Sequence, residues 1–179
     1  MMLTEVESMK QDIAGGDRRE MRGGGHFVLG YSPVLISQGS KQLLNDFRLG
    51  KIPVDLRIER SMVSAAVEMT MADGELKELL VSEAKERVSS EESSGVRMIG
   101  KIMPGYCAVL IKDGIKQQLR YFGSRHGISA DMYQVERILA TAAVDIVVRS
   151  ERLHEKWVQL ISETVSWEVG HCYRSAKIG

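Results

Sequence analysis

The sequence predicts an α+β fold in which an antiparallel sheet packs against helices and a long helical segment closes the chain. Three patterns carry that reading. Val54, Leu56 and Ile58, then Val63, Ala65, Val67, Met69 and Met71, alternate with polar or small residues, the period of a half-buried strand. Leu76, Leu79, Leu80, Ala84 and Val88 recur at helical spacing over Glu75 to Val88, with Glu75 and Glu78 in the first turn and Lys85 and Arg87 near the last, as the helix dipole favours. From Asp131, a stripe of Val135, Leu139, Ala142, Ile146, Leu153 and Trp157 continues to Val165.

Taken in order, residues 1–25 mix acids and bases, run into Gly23-Gly24-Gly25 and show little apolar periodicity, so they read as a flexible arm before one domain over 26–179. Phe27-Val28-Leu29 and Val34-Leu35-Ile36, interrupted by Gly30 and Pro33, predict a bent or edge strand. Ser40 to Leu49 places Leu43, Leu44 and Phe47 on one face of a short helix that stops at Gly50. The apolar set of the alternating segment changes parity between Ile58 and Val63, which calls for a bulge at Arg60–Met62 or two strands meeting there. Asp73-Gly74 reads as a turn, and Ser89 to Gly95 as a polar linker and protease site. Val96–Met103, Cys107–Ile111 and Ile115–Phe122, separated by Pro104-Gly105 and Asp113-Gly114, read as a three-stranded meander. In residues 131–169, Ser150 is a candidate cap, so one rod and two helices breaking near Arg149 are both open.

Composition narrows the function classes. The chain has 179 residues, 44% hydrophobic and 27% charged, and can bury a sizeable core. Lys+Arg and Asp+Glu are equal at 24 each, so any charge-driven role is local. Residues 68–92 carry eight acids against Lys77, Lys85 and Arg87, whereas residues 96–126 carry six cations against Asp113 alone. Lys101, Lys112, Lys116, Arg120 and Arg125, interleaved with Tyr106, Tyr121 and Phe122, are the candidate binding set for an anionic partner. Unlike patches that point apart also let copies of the chain join head to tail.

Chemistry-bearing motifs are sparse. Cys107 and Cys172 read as buried thiols of a reducing compartment, and the first ten residues lack the apolar core of a secretory signal, so the expected location is cytoplasmic. Gly23 to Ser40 is free of charge but broken by Gly30 and Pro33, which predicts no transmembrane segment. Four scattered histidines show no metal-ligand spacing; His171-Cys172 are adjacent and point apart in any regular element, so no metal, cofactor or catalytic residue is assigned. Arg125-His126, in a glycine-containing loop, is the one enzyme-like pair, and a solvated loop accounts for it more simply.

The run Ala66-Val67-Glu68-Met69-Thr70-Met71-Ala72-Asp73 and the paired segments Val96–Met103 and Cys107–Ile111 resemble the core of rhabdovirus matrix proteins, over residues 26–115. The arm at 1–25 is not polybasic, no Pro-Pro-x-Tyr motif is present, and 131–169 is longer than the animal-virus members show. The resemblance implies a non-enzymatic virion protein that self-associates, condenses a ribonucleoprotein and meets membrane peripherally. The expectation is therefore a self-associating structural or adaptor protein. A nucleic-acid-binding regulator using 96–126 and a small enzyme near Arg125-His126 are the alternatives.

Overall fold

The computed structural model describes residues 29–47, 54–94 and 104–178, with side chains as far as Val165. The described elements are β1 (Tyr31–Ser37), α1 (Gln38–Asp46), α2 (Leu56–Ala72), α3 (Gly74–Ser94), β2 (Tyr106–Lys112), α4 (Asp113–Arg125), α5 (Met132–Arg149) and α6 (Glu151–Ile178). The fold is α+β, with an antiparallel sheet of β1 and β2 packed against helices and a long C-terminal helical segment. That segment is two helices: α5 ends at Arg149, and Ser150 accepts from the N–H of Leu153 as α6 begins.

Two segments expected as strand are helix. The alternating run 54–71 forms α2, opened by Asp55, whose carboxylate accepts from the N–H of Ile58 at 2.9 Å. Its period-two pattern does not mark a strand because the intervening Ser64, Ala66 and Thr70 are small and buried too, and a helix enclosed on all sides shows no single stripe. No bulge exists at Arg60–Met62. Ile115–Phe122 belongs to α4, where Ile115, Leu119 and Phe122 form a buried stripe and Asp113 sits in the first helical turn. The third strand of the expected meander is therefore a helix, and β2 pairs with β1, in register from Tyr31↔Lys112 to Ser37↔Tyr106. The Ser89–Gly95 linker is likewise corrected, since α3 runs on to Ser94. The arm at 1–25 and the strand at Val96–Met103 lie outside the described residues.

The element order repeats, β-α-α-α and again β-α-α-α, and so does the sequence. YSPVLISQGSKQLLNDF from Tyr31 matches YCAVLIKDGIKQQLRYF from Tyr106, nine of seventeen positions being identical. Ile58-Glu59-Arg60 and Ala65-Ala66-Val67-Glu68 match Val135-Glu136-Arg137 and Ala142-Ala143-Val144-Asp145. The geometry repeats with it. Gly30 and Gly105, at φ 82 and 83, precede the two strands; Asp113 N–H donates to Gly30 O and Gln38 N–H to Gly105 O, both at 2.9 Å. Val34 opposes its own equivalent, Val109, at the centre of the ladder, which puts a pseudo-two-fold axis there.

The halves share one core. Central helix α2 packs on β2 and α6 of the second half, and α5 packs on β1 and α3 of the first. Every residue from Val135 to Val147 is buried. Trp157, fully buried on α6, donates its indole N–H to Met62 O at 3.0 Å and lies against Phe47 of the first half. The chain is thus an internal repeat whose two units share one core.

Candidate functional site

The basic set divides when placed on this frame. Lys116, opposite the buried carboxylate of Glu136 at 3.7 Å, also donates to Pro33 O at 2.9 Å, closing the β1 edge where proline supplies no N–H. Burial pushes its ammonium below the ordinary lysine range, against the opposing pull of Glu136. Arg120 pairs with the same Glu136. Lys116 is thus held mostly inside the protein, while Arg120, paired with the same carboxylate, keeps 39% of its side chain exposed. Lys112 and Arg125 are exposed, Arg125 donating to Tyr121 Oη at 2.9 Å, and Lys101 lies outside the described residues.

The Lys116–Glu136 pair has its equivalent in Lys41–Glu59, 3.4 Å apart, and Arg137 over Tyr106 has its equivalent in Arg60 over Tyr31. Burial raises the Glu59 carboxyl, with Lys41 opposing. It also raises the Cys107 thiol, which keeps that sulfur protonated and unreactive. These repeated pairs tie each strand-helix unit to the next helix, so they are structural fasteners. The repeated motif Glu-Arg-x-x-x-Ser/Thr-Ala-Ala-Val-Glu/Asp is the sequence signal that marks them.

Where the halves meet, equivalence fails at Asp145. Asp145 on α5 accepts from Ser40 Oγ at 2.6 Å and pairs with Arg87 of α3 at 2.9 Å, while Arg87 also reaches Glu83. At the related positions stand Ile115, Glu68 and Thr164, and Glu68 is exposed. Nearby, Arg137 donates to Glu91 at 2.6 Å, and Gln134 donates to the same carboxylate at 2.9 Å. Arg87, Ser90, Glu91, Tyr106, Ile138 and Thr141 line a cavity of about 260 Å³ between α3, β2 and α5. The charged groups on its wall are paired, Arg87 with Asp145 and Glu83, and Glu91 with Arg137.

The exposed chemistry gathers at the corner where α4 gives way to α5. Tyr121, Met132 and Tyr133 are 64%, 43% and 51% exposed, and the Arg125 guanidinium lies 5.9 Å from the Tyr121 ring centre. Tyrosine, methionine and arginine are the residues enriched where proteins touch. The position related to Tyr133 is Leu56 at the start of α2, itself 69% exposed, so both halves present an apolar residue there. His126 lies on Phe122 with ring centres 4.3 Å apart, a packing contact at the end of α4. Among the described residues, no cluster of three His, Cys, Asp or Glu is placed to hold a metal, and no helix is long and apolar enough to cross a membrane.

No protein-family description, curated protein or solved structure matches the chain.

Proposed function

We propose that the chain is a non-enzymatic, self-associating structural or adaptor protein that also meets an anionic partner. The observation that carries this reading is the exposed Tyr121–Arg125–Met132–Tyr133 corner, with Leu56 at the position related to Tyr133. On the first half Asp46 and Asp55 stand at the positions related to Tyr121 and Met132, so Leu56 and the corner are two unlike points of attachment on each copy, which is what growth beyond a pair requires. Of the five assigned cations, Lys112 and Arg125 are exposed among the described residues and can face an acidic surface, and a ribonucleoprotein is the partner that the rhabdoviral likeness would supply.

Light scattering over a salt series, with and without RNA, tests the reading. The expected result is association that weakens with salt and is lost in Tyr121→Ala/Tyr133→Ala, while Lys112→Glu/Arg125→Glu lowers the response to RNA. A chain that stays monomeric at every salt concentration and ignores RNA contradicts it.

A further inference from the structure

We infer that two copies of this chain join by exchanging halves, the first half of one copy seating against the second half of the other. The inference rests on the self-association reading but names a different contact from the exposed corner. The core is shared: α2 lies on β2 and α6, and α5 on β1 and α3, so each half completes the burial of its central helix against its complement, in addition to its own α3 or α4. The contacts are the same whether that complement comes from the same chain or from another. Only residues 95–103 join the two, and nine residues span at most about 30 Å. Such a connection favours the closed single chain by raising local concentration, so exchange becomes significant when chains fold together at high concentration.

The partner is specified as a second half and not a second first half. Asp145 is buried and requires Ser40 and Arg87, both from the first half. Two second halves would set Asp145 against Ile115 and Thr164, stranding a buried carboxylate. Exchange therefore keeps the pairing of unlike halves, and two chains close on each other with every contact made twice. Since the contact is a core and not a charged surface, exchanged dimers resist salt.

A cross-link between the strands reports which chain supplies each half. The bonds Gln38 N to Gly105 O and Asp113 N to Gly30 O fix the parity of the ladder, making Leu35–Ala108 a pair without mutual hydrogen bonds, the closer kind, with Cα atoms about 4.5 Å apart and within disulfide reach. Leu35→Cys/Ala108→Cys is made in a Cys107→Ser/Cys172→Ser background, serine being what the first half carries at Ser32, the position related to Cys107. Each pair of cysteines loses two protons and two electrons to an added disulfide oxidant, glutathione disulfide, which is reduced to two thiols. The full chain is unfolded, refolded at high concentration, separated by size and oxidised. The monomer fraction is expected to form the bond within one chain, and the dimer fraction to run as covalent dimers on a non-reducing gel, in high salt and also with Tyr121→Ala/Tyr133→Ala present. A dimer fraction whose disulfides all lie within single chains overturns exchange and leaves surface association standing. Refolding that yields no dimer, or a monomer that forms no disulfide, overturns it as well.

Discussion

Glu136 shows how a residue can look like part of a binding surface from its neighbours and yet belong to the interior. It is 2% exposed and holds both Lys116 and Arg120, two of the five cations assigned to an anionic partner. Glu136→Gln strands the Lys116 ammonium in a low-dielectric site and is expected to cost about 3 kcal/mol in urea unfolding, whereas a loss confined to the exposed-pair range of about 0.5 kcal/mol would contradict the interior role. Ser40→Ala removes a hydroxyl donated to a buried carboxylate; a loss of about 2 kcal/mol is expected, and an unchanged midpoint would show that Asp145 does not depend on it. Glu59 carries the pH signature. Its folded carboxyl binds a proton at higher pH than the unfolded one, so the stability that proton supplies is full below the unfolded value and is lost as pH rises through the raised value. Glu59→Gln is expected to flatten stability against pH across that window, and an identical profile in the variant would remove Glu59 as the cause. The sequence displayed all these charges but not their partners, because pairing depends on which helix lies opposite.

At the scale of elements, what could be read depended on how much of each helix faces water. α1 and α3 have one apolar side and were legible as helices. The long segment from Asp131 was legible as helical, and its break falls where Ser150 suggested it. α2 was not, since its centre is buried on every side and apolar and small residues happened to alternate. α4 was hidden by Asp113-Gly114, which reads as a hairpin turn but opens a helix straight after β2. Ser89 to Ser94 misled through composition, being rich in serine and glutamate while continuing α3. Ser89→Pro tests this directly: inside a helix it deletes a hydrogen bond and clashes with the preceding turn, so a loss of about 3 kcal/mol is expected where a linker would show almost none. Gly123 marks a close contact between α4 and α5, for a Cβ there would fall well inside contact distance of Val135 Cγ1. Gly123→Ala is expected to lower the thermal midpoint, with part of the loss recovered by adding Val135→Ala; no loss would mean that α4 and α5 are less closely packed than described.

The whole molecule is a pair of equivalent units woven into one core, and this level was the least legible in the sequence although its evidence is there. Tyr31 to Phe47 and Tyr106 to Phe122 match along their length, yet local pattern reads the first as a bent strand and a short helix and the second as the end of a meander. Assigning elements window by window separated segments that share an origin; comparison of the chain with itself joins them. The exposed corner stands on its own residues, and the symmetry adds Leu56, an unlike residue at the position related to Tyr133. The pairing of unlike halves through Ser40, Asp145 and Arg87 then explains why the duplicated units are no longer interchangeable. The most direct test is to place a protease site within residues 95–103, cut the folded full chain there, and measure mass in solution together with helical circular dichroism. The account predicts that the two fragments stay together as a one-to-one complex with the helical signal of the uncut protein. Fragments that part and keep their helices separately, each folded around its own core, would contradict it.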